Sequence, residues 1–348
     1  MQYSLRDRFR GALLGAVLGE ILGSACEKEA AHSVLSWQTL SQEGFIAPVA
    51  VNGGGWGKFI MQEVNRLVQP LGSEAKTEPS VRSLSNILST TSILNTQSDD
   101  PSLAPLSAGC ALMTIPIALF YHDDMRYLPR RIEQAIEDWQ QPASHATGAI
   151  VIGYTLALAL QEKLYVHDLI PRLLTDLEIV DRDPLLAQQL QQVQVWLEQG
   201  SGLSTVKTLI AEPIAPKSSD PTIDLTPIAI ALYGFLSTPA HFKLSLLRTA
   251  RLQYYPQTVC CLVGALSGVH NRTAGIPLGW QLHLMTTSSK VLTELWSTSP
   301  TSIIQQADLL LGQWSGAHDP LQWSASSNSP SPLVAVPNLI RPQPNFPP

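Results

Sequence analysis

Few residues of this chain could do acid–base, metal or nucleophilic chemistry. The densest polar set lies at the mouth of one apolar helix, in the stretch RLQYYPQTVCCLVGALSGVHNRTAGIPLGW from Arg251 to Trp280. A loop over Leu252 to Gln257 opens there onto a helix that starts near Thr258, a residue suited to the N-cap or first turn. Free N–H groups and the helix dipole make such a mouth favourable to an anionic ligand. A hard divalent cation needs charged oxygen ligands instead. Thr258 is neutral, Gln257 is a weak neutral donor, and Tyr255 would have to ionise well below its ordinary pKa to serve. The remaining candidates are scattered. Glu20 interrupts an apolar run, and Trp56 sits in the glycine cluster of FIAPVAVNGGGWG, Phe45 to Gly57. His145 begins a helix, and Asp99-Asp100 precedes Pro101.

Each of these also has a plainer reading. Lys58 is followed by Phe59, so the glycine cluster lacks the phosphate-loop pattern and reads as a turn. A histidine with no charged partner in view reads as a helix-start residue bonded to backbone. Ser98-Asp99-Asp100 before a proline reads as a solvated turn.

The elements that must position these groups are helices. Tyr3 to Cys26 forms the first, with Asp7 in its first turn. It carries Gly11, Gly15, Gly19 and Gly23 at every fourth residue. Each glycine costs a helix about 1 kcal/mol against alanine, so four on one side imply another backbone at very short range. Gly264 and Gly268, also four apart, offer the matching side. That second helix is expected to stop before Asn271, Gly275 and Pro277. Phe59 to Val68, Leu106 to Tyr121 with Pro116 inside, Leu128 to Trp139, and a helix from Ser144-His145 to Leu164 follow in pattern. Val166 to Leu197, Thr226 to Leu236, Ala240 to Ala250 and Val291 to Leu311 supply the others, while Gly200 to Pro221 reads as a loop. Period-3.6 segments dominate and alternating β-branched runs are few, so the fold class is all-α.

Gly72 to Pro105 is polar and broken by prolines, an insertion with one short helix over Val81 to Leu94. Ser315 to Pro348 is rich in Ser and Pro and reads as an extended tail. Its apolar run Leu333 to Ile340 is suited to docking on the domain. The division is therefore residues 1–314 as one helical domain and 315–348 as tail.

Composition narrows the function classes. With 45% hydrophobic and 14% charged residues, the 348-residue chain can bury a large core. A net charge of −6 with no basic cluster argues against a nucleic-acid surface. The four cysteines, Cys26, Cys110, Cys260 and Cys261, lie in apolar surroundings and fit no zinc spacing. They read as reduced core thiols of a cytoplasmic protein. The run Ala12 to Ala25, interrupted by Glu20, is expected to be too short to span a membrane.

The residues now named carry a resemblance. Thr258, Gly264, Ala265, Gly268, Ile276, Pro277 and Trp280 match the C-terminal signature of the ADP-ribosylglycohydrolase family. DRFRGALLGAVLGEILGSACE is similar to that family's opening motif, and Gly109, Ala111 and Pro116 fit a third block. The resemblance covers most of Leu5 to Trp280 and implies a compact orthogonal multi-helix domain. It also implies hydrolysis of ADP-ribosyl bonds with two Mg²⁺ ions held by carboxylates from two loops. Those carboxylates are absent from the matching places. Tyr255 and Gln257 stand for two aspartates, Tyr254 for a glycine, and Glu20 for an aspartate after the third glycine. Gly54-Gly55-Trp56-Gly57 occupies the place of an acidic loop. Ala108 and Met113 replace polar, site-facing residues, while His145 keeps a polar position.

The leading expectation is thus a pseudoenzyme that needs no cofactor. Its degenerate pocket is drawn from Glu20, Trp56, His145, Tyr254, Tyr255, Gln257 and Thr258. Such a pocket either stacks a ring of ADP-ribose or a related nucleotide, or its aromatics fill the vacated metal space. Two other readings stand beside it. One is an active hydrolase with relocated carboxylates, drawn from Glu20, Glu27, Asp99, Asp100, Asp123 or Asp124. The other is an interaction protein that binds a protein partner through the proline-rich tail.

Overall fold

The structure is a computed structural model, and it describes residues 5–32, 55–68, 106–211, 224–286 and 289–316. The helix expected over Val81 to Leu94, the Asp99-Asp100 turn and the tail segment Leu333 to Ile340 lie outside the described residues. Among the described residues every regular element is helical.

Helix α1, Leu5–His32, runs antiparallel to α13, Pro256–Gly275, and this pair is the axis of the domain. Gly11 faces Gly268, Gly15 faces Gly264, Gly19 faces Cys260, and Gly23 faces Pro256. Each step of four up one helix is a step of four down the other. At every rung a Cβ on the α1 glycine would run into a backbone carbonyl of α13, and Gly264 and Gly268 return the relation on Gly15 and Gly11. The stripe in the sequence therefore does what its spacing implies, which is to let two backbones touch.

Around this pair lie α2 (Gly57–Val68), α3 (Leu106–Met113), α4 (Ile115–Phe120) and α5 (Leu128–Asp138). A single 3-10 turn, Ala143–His145, leads into α6, Ala146–Leu160. Then come α7 (Leu169–Asp176), α8 (Ile179–Arg182), α9 (Pro184–Glu198) and α10 (Leu203–Ala211). The last group is α11 (Thr226–Leu236), α12 (Phe242–Leu252), α13, α14 (Leu278–Thr286), α15 (Ser289–Trp296) and α16 (Pro300–Ser315). Helices α3, α6, α11 and α12 pack on α13, and α16 packs on α1. Every side chain of α6 except Thr147 is buried, as expected of a helix that is apolar all round.

Polar clamps hold the end of α1. Arg6 and Arg10 each make a forked pair of hydrogen bonds to Asp308 of α16, at 2.9 and 2.7 Å and at 2.8 and 2.5 Å. Buried Arg8 donates to the carbonyls of Ala159 and Val269 at 2.8 and 3.3 Å, and to Glu162 at 2.7 Å. The four cysteines are unbridged and buried.

Several boundaries differ from the sequence reading, each for a local reason. Helix α13 passes through Asn271, because the Asn271 amide bonds back to the Ser267 carbonyl at 3.0 Å and across to Pro239 at 2.7 Å. It breaks one residue later, at Arg272, with φ 64° and ψ −178°. It also begins at Pro256 rather than Thr258, since proline suits the first helical position. Leu203–Ala211 is helical inside the expected loop, and α14 follows directly on the Pro277 stop signal. Leu5–Cys26 and residues 143–160 are in fact long and apolar enough to cross a membrane. The length argument on this segment therefore fails, but 89% of each window is buried inside the domain.

The touching backbones give a test by sign. Gly15→Ala forces a methyl against the Gly264 carbonyl and should destabilise the fold by about 1–3 kcal/mol in urea denaturation. Gly312→Ala in α16, where an added Cβ meets nothing within 4 Å, should instead stabilise by about 0.5–1 kcal/mol.

Candidate functional site

The rungs between Gly19 and Gly23 determine what assembles at the N-terminus of α13. Glu20, one residue beyond the Gly19 rung, is fully buried. Its Oε1 accepts the Trp56 backbone N–H at 2.7 Å and the Gln257 side-chain amide at 3.0 Å. The Trp56 indole N–H donates to Thr258 Oγ1 at 3.1 Å. Glu20, Trp56, Gln257 and Thr258 thus form one closed polar knot across α1, the entry to α2 and the first turn of α13. Four of the seven candidate residues come together in it.

The other three stand around the knot. Tyr255 is the N-cap residue of α13 in the left-handed region, φ 40° and ψ 58°. That backbone is costly for a side chain larger than glycine, by about 1–2 kcal/mol. The Tyr254 and Tyr255 rings meet edge to face at 4.9 Å between centroids. The Tyr254 hydroxyl donates to Asp224 Oδ2 at 2.7 Å, just before α11. His145 is buried at the end of its 3-10 turn, which packs on α3.

Sequence reasoning missed the aromatic packing that seats Trp56. Gly109 of α3 lies against the outer edge of the Trp56 six-membered ring, where a Cβ would collide with it. Gly55 and Gly57 sit equally close to Leu295 and to the Trp296 ring of α15. These glycines are contact points for large neighbours rather than a phosphate cradle. The available signal was Gly109 itself, which the sequence reading treated only as a motif match.

The electrostatics of the knot are those of a desolvated acid. Burial pushes the Glu20 carboxyl up to about 7, against the opposing pull of its N–H donors from Gln257 and Trp56. Its second oxygen, Oε2, is buried with no hydrogen bond of ordinary geometry, and so is the Trp296 indole nitrogen. Trp296 and the Gly57 amide nevertheless lie near enough to favour the charged form. Tyr254 and Tyr255 are shifted away from ionisation, first by burial and then by Asp224.

The donor set does not fit a pair of magnesium ions. Within the knot Glu20 is the sole carboxylate, and its Oε1 already carries two N–H donors. The Thr258 hydroxyl accepts from an indole, and both tyrosines resist deprotonation. Among the described residues no three His, Cys, Asp or Glu side chains are grouped so that they could hold a metal. Of the relocated carboxylates considered from sequence, Asp124 caps the turn into α5 through the Arg126 and Tyr127 amides. Asp123 accepts the Trp314 indole N–H at 3.3 Å. The Glu27 side chain, Asp99 and Asp100 lie outside the described residues.

The described residues thus form an all-α domain built on two touching glycine helices, with a polar cluster at the N-terminus of the second. A solved structure titled "ADP-ribosylglycohydrolase-related protein complex" superposes with a TM-score of 0.53 over 89% of this chain and 99% of that one, at 17% identity. The family model for ADP-ribosylglycohydrolase matches residues 1–313, and the chain belongs to that family. No curated protein matches it.

The buried acid makes stability depend on pH. Glu20 binds its proton more tightly folded than unfolded, so stability should fall as pH rises from about 4.5 to 7 and level off above. A shift of that size corresponds to roughly 3 kcal/mol. Glu20→Gln keeps an acceptor for Trp56 and Gln257. It should flatten the profile between pH 5 and 8 and be the more stable form at pH 8, read by thermal or urea denaturation at each pH.

Proposed function

We propose that this chain is a member of the ADP-ribosylglycohydrolase family that does not hydrolyse ADP-ribosyl bonds, and that it acts as a binding or regulatory protein. The observation that carries this reading is the Trp56 indole bonded to Thr258, with its amide on Glu20. A bulky indole is thereby held on Thr258 in the first turn of α13, while the same residue's backbone N–H and the Gln257 amide take up one oxygen of the only carboxylate of the knot. Two dications in one pocket repel each other and need several carboxylates to offset that repulsion. One acid already pushed towards its neutral form cannot supply this.

On this reading the aromatics replace the metals as filling, and the scaffold is retained for its shape. The family's relation to ADP-ribosylated substrates makes ADP-ribose the first ligand to test. The exposed parts of Tyr254 and Tyr255, beside the mouth of α13, are where its base or ribose would rest.

Calorimetric titration of the full chain with Mg²⁺, ADP-ribose and both together is the direct test. The expected result is no tight Mg²⁺ binding, and ADP-ribose binding that is absent or insensitive to Mg²⁺. An ADP-ribosylated protein incubated with the chain and Mg²⁺ should release no free ADP-ribose. Micromolar Mg²⁺ binding that strengthens ADP-ribose binding, or release of ADP-ribose, would overturn the proposal.

A further inference from the structure

Helix α14 is apolar on two sides. Trp280 and Leu284 face inward, at 2% and 1% exposure. Leu278, Leu282 and Met285, spaced at i, i+4 and i+7, form an outward stripe with exposures of 68%, 56% and 37%. Three large apolar side chains in one exposed row are a patch that water disfavours. Polar contacts fix the entry to the helix. Gln281 donates to the carbonyls of Thr273 and Ile276 at 3.0 and 2.8 Å, so α14 cannot roll its outer stripe inward without breaking them.

We propose that the apolar segment Leu333 to Ile340 of this same chain docks on that stripe. The inference rests on where the chain goes next and on what it carries. Helix α14 packs against α16. Helix α16 ends at Ser315 and is closed by Gly316 in the left-handed conformation, φ 73°. The sequence beyond is polar and rich in Ser and Pro until PLVAVPNLI, the longest apolar run of the tail. Residues 317–332 form the connection. At about 3.3 Å per residue when extended, they reach a few tens of ångströms even when partly folded back. Both ends of the docking pair thus belong to neighbouring parts of one molecule, which raises the effective concentration of the segment at the stripe. Pro332 and Pro337 restrict the free segment, so less conformational freedom is lost on docking. Leu333, Val334, Val336, Leu339 and Ile340 supply side chains that the stripe can bury.

The test uses the full-length chain under single-cut exposure to chymotrypsin, which cuts after Leu333 and Leu339 in the segment and after Trp323 in the connection, the last serving as the undocked reference. Docking protects the two bonds of the segment, and their cleavage follows the undocked population. Leu278→Asp with Leu282→Asp changes two side chains that are more than half exposed, so the thermal midpoint should stay near that of the wild type. Cleavage after Leu333 and Leu339 should become about tenfold faster relative to cleavage after Trp323. Leu339→Asp with Ile340→Asp, both well removed from the bond after Leu333, should accelerate cleavage there to the same degree from the other partner. Equal rates in wild type and both variants would overturn the proposal. So would a wild-type dimer in light scattering that Leu278→Asp with Leu282→Asp dissolves while tail cleavage is unchanged, for then a second copy covers the stripe.

Discussion

The contact on which the domain depends is backbone against backbone. At four successive rungs, Gly11, Gly15, Gly19 and Gly23 of α1 lie directly against the backbone of α13. The seam sets the distance between the helices, and the other helices take their places against the outcome: α6 and α12 on α13, and α16 on α1 through two arginines sharing Asp308.

The polar knot is a consequence of the same seam. Glu20 follows a rung glycine, and Gln257 adjoins the rung made by Gly23 and Pro256. The carboxylate and the amide therefore arrive together at 3.0 Å with no loop needed to place them. Trp56 closes the knot from the entry to α2, and Gly55, Gly57 and Gly109 make room for it and for Trp296. The cost is a carboxyl removed from water, one of whose oxygens finds no ordinary donor. Such a group is tolerated because neutralising it is easier than hydrating it, and its pKa moves accordingly.

Much of this was legible in the residues themselves. The four-residue glycine spacing on both helices implied their contact, and Gly11, Gly15, Gly264 and Gly268 meet as that spacing requires. The all-α class followed from periodicity, and Thr226–Leu236 has the boundaries its pattern gives. What could not be read was anything decided by long-range packing. That Glu20 would bond to Trp56 and Gln257 depends on three segments far apart in the chain. That Tyr254 would turn to Asp224 depends on a residue in no motif. Asn271 as a stop signal failed because its amide found partners in the helix and in the loop before α12. Local propensity held no trace of either partner.

The glycine seam also acts as an indexing device. Its rungs recur every four residues, so sliding α1 along α13 by less than one rung sets residues that carry a Cβ against carbonyls that now meet glycine. Sliding by a whole rung, four residues, moves the helix about 6 Å, leaves a terminal rung without its mate, and carries Glu20 out of reach of Gln257. No intermediate setting exists. The two helices either mesh at the one notch where the acid, the amide and the indole meet, or they do not mesh.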